Sequence, residues 1–375
     1  MIVFSQRRDR VVRKTAAIFA CVFALMLASC GGGGSSSSSS SSHLAYAVGG
    51  QTNVVGLRID GSGAINTILG SPFVAGNGPS SVVIHPSNEF LFVANQTEHT
   101  ISLFTIDQST GAITEVLPRT PVGISPIAMA MDSGGKFLFV ADQGANPAVY
   151  SFSIGANGAL TAVGSPALLA AAPSGLTLTA AANFLYVPVP NVSGIYEFQV
   201  NSDGSLTPVQ GSPFIVSLPP ATSGLVATLA VDPAAKFLFV PNPSTGTVTV
   251  LTIQSNPAGS LASGPGAFAA GTSPVAAATD LTGAYLYVVN FGAPALNQYS
   301  IDANTGGLTK LTATAPSAGT GATFIVPDPN GKFVYVGNQG SASLSEFSIK
   351  SDGSLTSTSN SVTLGSQPRS LSVEK

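Results

Sequence analysis

The side chains able to move a proton or hold a ligand are few and scattered. Three histidines occur, His43, His85 and His99. Only His99, next to Glu98, stands in a loop after a strand-like run, where an imidazole and a carboxylate together suit proton transfer. His85 fills a turn slot that is Asp132 or Asp232 elsewhere in the chain, a structural position, and His43 adjoins a Ser-rich stretch. Two loop arginines, Arg119 and Arg369, could reach the same face as His99 and offer fixed positive charge for a developing oxyanion. Arg369 follows Pro368 at the opening of a strand-like run, which places it near the channel mouth, while a surface salt bridge or a solvated side chain is the reading favoured for Arg119. Asn95, Asp142, Asn242, Asn290 and Asn338 recur at the ends of similar runs. A ring of such groups suits a polar ligand such as a sugar, and Asx turns capping strand ends suit it better. The binding-face candidates are therefore Glu98, His99, Arg119, Asp142 and Arg369, and no catalytic set can be named. No His- or Cys-rich spacing, calcium loop, Walker motif, nucleophile elbow or HExxH is present, so no metal and no other cofactor is expected.

The elements that must position these residues repeat. An aromatic-aliphatic strand recurs as FLFVAN at Phe90, FLFVAD at Phe137, FLYVPV at Phe184, FLFVPN at Phe237, YLYVVN at Tyr285 and FVYVGN at Phe333. A degenerate seventh copy, LAYAVG, begins at Leu44. The period of about 48 residues falls in the range of propeller blades. An apolar run precedes each full copy, as in PSSVVIHP at Pro79 or PIAMAMDS at Pro126, and predicts a first strand. Turns such as Asp232-Pro233 and Asp328-Pro329 follow it, with Asp accepting backbone hydrogen bonds and Pro fixing φ. A third strand comes next (TISLFTID from Thr100), then a hairpin ending in Gly63, Gly111, Gly158, Gly204, Gly259, Gly306 or Gly353. Glycine supplies the positive φ such turns require. A short fourth strand completes the unit, and four strands make one blade.

The first copy has no first strand ahead of it, and PRSLSVEK from Pro368 matches the missing one. Pairing of that tail beside residues 44–48 would seal a ring without a free sheet edge. The expected fold is thus all-β, a seven-bladed propeller of four-stranded blades over residues 43–375, closed by its C-terminal strand. A solenoid would need caps, and a sandwich gives no reason for a regular period.

Residues 1–30 read as an address. Arg7, Arg8, Arg10, Arg13 and Lys14 precede an apolar run from Ala16 to Ala28, too short for a comfortable membrane span and typical of a secretory signal. Leu27, Ala28, Ser29 and Cys30 resemble the lipobox of bacterial lipoproteins, which implies acylation of Cys30 and cleavage before it. Residues 31–42, GGGGSSSSSSSS, predict a flexible tether with a coil span of roughly 20 Å. By the same resemblance, the lack of Asp after Cys30 implies the outer membrane of an exported, lipid-anchored protein. Beyond the leader nine basic and sixteen acidic side chains remain, a net of about −7. With no clustered positive charge, nucleic acid is excluded as a partner. The expected partners are the membrane, through the lipid, and a glycan, small molecule or protein on the loop face of a monomer.

The Pro-led strand, Asp-Pro turn, FLFVAN-like strand, STGAIT hairpin and GSPF loops at Gly70 and Gly211 resemble the lactonase-type seven-bladed propellers, which include 6-phosphogluconolactonases and related YVTN-repeat proteins. The resemblance spans residues 43–375, and the absence of Trp sets the chain apart from WD40 blades. It implies a lactone hydrolase, with His, Arg and Glu at the channel mouth on the first strands. The corresponding positions here are Ser80, Ile127, Ser174 and Val275, none of which moves a proton. A binding module is therefore the expected function and lactone hydrolysis the alternative.

Overall fold

The structure, a computed structural model, describes residues 42–49, 52–180, 183–216, 218, 228–293 and 296–374. The leader, Cys30 and residues 31–41 lie outside the described residues. No described helix is long and apolar enough to cross a membrane. The described residues from 43 onwards form seven antiparallel sheets arranged as the blades of a ring.

The second strands show why the sequence folds this way. FLFVAN carries no polar alternation, because both faces of each sheet are covered. From Phe90–Asn95, Leu91 and Val93 face the first blade, in one cluster with Tyr46 and Val48. Phe92 and Ala94 point the other way, in a cluster with Leu138 and Val140 of the third blade. The core is therefore a series of seams between neighbouring blades. All seven hairpin glycines have positive φ, between 75° and 91°, as their position requires.

Blade 1 is composite. Its strands His43–Gly49, Asn53–Ile59 and Ile65–Thr67 are joined on the inside by Pro368–Val373. The register pairs Tyr46 with Ser372, Ala47 with Leu371 and Val48 with Ser370. The chain's tail closes the ring as its sequence leads one to expect.

Two details differ from a uniform four-stranded blade. The outer strand of blades 1, 3 and 4 is broken, and a second short segment (Phe73–Val74, Ala167–Leu168 or Phe214–Ile215) pairs with the third strand. In blades 1 and 4 the break is the GSPF loop, whose leading Gly70 and Gly211 turn the chain at φ +87° and +93°. The inner strands of blades 4 and 5 shrink to Thr177–Leu178 and Ala230–Val231.

Candidate functional site

Each inner strand starts on one face of the ring, the face on which each second strand ends. This face carries the sequence-predicted candidates, and the structure gathers only some of them.

Arg369 opens the closing strand and lines a central cavity of about 180 Å³ with Ser80, Ser81, Ile127, Met129, Thr323, Phe324 and Gln339. Its guanidinium donates from Nη1 to Gln96 Oε1 at 2.8 Å, across from the last strand of the chain to the second blade. Gln96 is held in turn, donating from Nε2 to Ser125 Oγ at 3.1 Å. Among the described residues that line the cavity, Arg369 is the only one that ionises. The ion pairs of the described residues are those of Arg119 with Glu98 and Glu115, so Arg369 keeps an uncompensated charge beside amides and hydroxyls.

The hydroxyls of the channel wall already have partners. Ser80 donates to the Pro126 carbonyl of the next blade at 2.8 Å, and Ser81 accepts from the Met129 amide at 3.1 Å. Ser370 and Ser372 of the closing strand accept from the amides of Val82 and Ile84. Thr323 lies 3.5 Å from the Pro368 carbonyl. These bonds stitch blade to blade. The expected first-strand positions are thus structural hydroxyls (Ser80, Ser174) or buried apolar groups (Ile127, Val275).

Glu98 and Arg119 meet, but away from the cavity. Arg119 Nη1 lies 2.6 Å from Glu98 Oε1 and its Nε 2.7 Å from Glu115 Oε1. The other Glu98 oxygen accepts from the Asn77 amide at 2.9 Å. That bond first, and the Arg119 hydrogen bond second, hold the Glu98 carboxyl below its ordinary range. The trio braces the loop before the first strand of blade 2 against its outer strand. His99 is exposed, with φ +61°, at the turn between the second and third strands, where its amide bonds the Asn95 carbonyl.

The recurring Asn and Asp residues are buried and engaged by the fold. Asp142 is 1% exposed. Its carboxylate accepts from the amides of Ile124, Ser125 and Gly144 at 2.6 to 2.9 Å. Asn95 donates to Thr100 and Ser102, and Asn338 to Ser343 and Ser345. Gly76, Gly123 and Gly319 lie directly over Asn95, Asp142 and Asn338, where any Cβ would overlap the side chain. Asx capping covered by a loop glycine is the role these residues play.

The opposite face holds His85. Its Nε2 donates to the Gly135 carbonyl of the next blade at 2.9 Å while Nδ1 accepts from the Ser87 amide at 3.1 Å. It joins Asp132 around a second cavity of about 150 Å³, and its bonds are those of an inter-blade link. No group of three or more metal-ligating side chains occurs among the described residues.

Sequence reasoning missed Gln96 and Gln339. A signal was available: glutamine follows the strand-ending residue three times, as Asn95-Gln96, Asp142-Gln143 and Asn338-Gln339. Gln143 spans to the Pro173 carbonyl at 2.7 Å, so Gln96 and Gln143 bridge neighbouring blades, while Gln339 lines the central cavity.

The family model for the seven-bladed lactonase propeller matches residues 56–167, 144–326 and 312–375. No curated protein matches the chain. Among solved structures, a candidate 6-phosphogluconolactonase of Bacteroides fragilis is similar at 20% identity, TM-score 0.75, over 91% of this chain and 99% of that one. The periplasmic gluconolactonase of Pseudomonas aeruginosa is similar at 20% identity, TM-score 0.72, over 89% and 99%. A protein of Lactobacillus plantarum matches at 17% identity, TM-score 0.72, over 89% and 100%.

Proposed function

We propose that this chain, which belongs to the lactonase family of seven-bladed β-propellers, is an envelope-tethered binding protein that takes a small, hydroxyl-rich carboxylate at the mouth of its channel. One observation carries this reading: Arg369 is the single ionisable side chain among the described residues of the central cavity. A guanidinium with neutral amide neighbours binds a carboxylate through paired N–H donors. Gln339, in the lining of the same cavity, adds an amide suited to the hydroxyls of a polyol. Hydrolysis needs more, since a base must activate water while a donor holds the oxyanion. Among its described residues the cavity has the donor and no base. A sugar acid fits both the chemistry and the class of molecule after which the Bacteroides and Pseudomonas proteins are called.

Lactone hydrolysis is the second reading, favoured by family membership and by the suitability of Arg369 as an oxyanion holder. Titration calorimetry with gluconate, alongside a turnover assay on a lactone panel, separates the two. Binding without turnover, lost in Arg369→Ala and retained in His99→Ala, is the expected result. Turnover abolished by Arg369→Ala or His99→Ala would establish the enzyme instead. Neither binding nor turnover, with a hit on a glycan array, would move the ligand to the outer loop face. The anchor belongs to the same proposal: fatty-acid labelling should depend on Cys30, and the labelled protein should fractionate with the outer membrane.

A further inference from the structure

The seams between blades share one repeated position, and one seam carries the residues of a clamp without making it. In the second strand, Tyr46, Tyr186, Tyr287 and Tyr335 occupy one repeated position, with Phe92, Phe139 and Phe239 in the remaining copies. The register sets each opposite a third-strand residue: Tyr186 faces Glu197, Tyr287 faces Gln298 and Tyr335 faces Glu346. Side chains so paired lie on the same face of the sheet.

In two of these blades the pair clamps the next blade's hairpin. Tyr186 donates to the Gly259 carbonyl at 2.9 Å, and Glu197 Oε1 accepts from the Leu261 amide at 3.0 Å. Tyr287 donates to the Gly353 carbonyl at 3.0 Å, and Gln298 Oε1 accepts from the Leu355 amide. Tyr46 likewise reaches the Gly111 carbonyl at 2.7 Å.

The seam from blade 7 to blade 1 lacks both hairpin bonds, whereas Glu197, whose Oε2 is also buried without a partner among the described residues, keeps its bond to the next blade through Oε1. Tyr335 is fully buried, and its hydroxyl has no hydrogen-bond partner among the described residues. Glu346, 1% exposed, turns Oε1 to Asn360 of its own blade, and its Oε2 is buried without a partner. Gly63 of the blade 1 hairpin lies directly on this carboxyl, where a Cβ would overlap it. The charged groups that act on Glu346 are Asp328, from the turn after the inner strand of blade 7, and Asp60, from the blade 1 hairpin; both are negative. At the edge of the same seam His43 is hydrogen-bonded to Asn330.

We propose that the seam between blades 7 and 1 is a proton-dependent latch: neutral Glu346 keeps the blade 1 hairpin, residues 60–65, docked on blade 7, and its ionisation loosens that hairpin. A buried carboxylate with one unpartnered oxygen and only negative neighbours is costly, whereas the neutral acid can donate a hydrogen bond. Burial, first, and then the two aspartates hold the Glu346 carboxyl above its ordinary range. A group whose folded value is raised withdraws stability as pH climbs from the unfolded value to the folded one. The seam is therefore shut in acid and loosens as pH rises. Blade 1 is the place for such a device, because it alone is assembled from both ends of the described chain.

The test compares the intact chain with Glu346→Gln, which copies the neutral side chain that Gln298 supplies in blade 6. The melting temperatures should coincide at pH 4, and the variant should melt higher by about 2 °C at pH 8. Amide exchange in residues 60–67, corrected for intrinsic rates, should accelerate with pH in the wild type and not in the variant. Glu197→Gln, at a clamped seam, should leave exchange in residues 60–67 unchanged. Parallel melting curves across this pH range, or an effect spread equally over residues 258–261, would overturn the latch. If Glu346→Gln does not fold, the pH dependence of wild-type exchange in residues 60–67 decides alone.

Discussion

Leu371 is the side chain through which the closing strand enters the core, and replacing it with alanine measures what closure contributes. It is 6% exposed and packs with Ala47, Leu57, Phe324 and Tyr335, side chains of both blades that the strand joins. Buried Leu→Ala changes cost about 2–5 kcal/mol, less where the site is already open on one side. Leu371 also lines the central cavity, which points to the lower half of that range, about 2–3 kcal/mol. An unfolding entropy of about 2.1 cal/mol/K per residue over roughly 330 residues gives about 0.7 kcal/mol/K, so the melting temperature should fall by roughly 3–4 °C. Calorimetry supplies the temperature, and amide exchange in His43–Gly49, the partner strand, supplies the location. Leu168→Ala is the matched control: this side chain is 72% exposed on the outer edge of blade 3, and its loss should cost within about 0.5 kcal/mol. Equal, sub-degree shifts for both variants, with His43–Gly49 exchange unaltered, would refute the view that the tail is part of the core.

Four further outcomes follow from local contacts. Tyr287→Phe deletes the 3.0 Å bond to the Gly353 carbonyl and leaves that carbonyl buried, so denaturant titration should show a loss of about 1–3 kcal/mol. Tyr335→Phe removes a hydroxyl that has no partner and should be neutral or stabilising in the same titration. Gly123→Ala meets two penalties, a φ of +46° and overlap with the Asp142 carboxylate, whereas Gly164→Ala has a φ of +60° and open space; thermal melts should show the Gly123 variant distinctly the worse. Glu98→Gln tests the loop brace. Because the folded carboxyl titrates below its ordinary value, its stabilisation is present above the unfolded value and lost as pH falls through the folded one. The wild type should exceed the variant by less than about 1 kcal/mol near neutrality, more weakly in high salt, and the two should converge in acid.

The fold was legible because its signals are local and repeated. A run such as FLFVAN can be buried on both faces only inside a layered sheet, and each hairpin glycine adopts the positive φ its turn requires. Closure was legible for the same reason: Pro368–Val373 is the missing copy of a strand seen six times. The GSPF loops were visible as loops, yet not as breaks in an outer strand, because pairing of Phe73–Val74 with the third strand depends on register across the break. The site was harder to read. Pro368 ahead of Arg369 set it apart from Arg119 in sequence, but their partners were not visible there: one is neutralised by Glu98 and Glu115, the other lines the channel and bonds Gln96.

A fold made of repeated seams consumes polar side chains as fasteners, so in this chain the presence of a polar residue says little about function. Ser80, Ser81, Thr323, Asp142 and His85 would each pass for a ligand-binding group, and each is occupied by a neighbouring blade or its own turn. Function is better sought where the repeat supplies a polar atom and the fold leaves it unused. Buried polar atoms without a partner among the described residues also occur at Glu197 Oε2, Gln298 Nε2, Asn95 Oδ1 and Asn338 Oδ1, and two places combine such a surplus with a departure from the repeat. At the channel mouth Arg369 carries a charge that no carboxylate among the described residues balances, and it stands where the other inner strands place neutral residues such as Ser80, Ile127 and Val275. Between blades 7 and 1, Tyr335 and Glu346 repeat a clamp that blades 4 and 6 complete and this seam leaves unmade. Both involve the composite blade, the one part of the ring whose strands are not drawn from a continuous stretch of chain. There the copies need not match, and residue types can depart from the pattern without breaking the other seams.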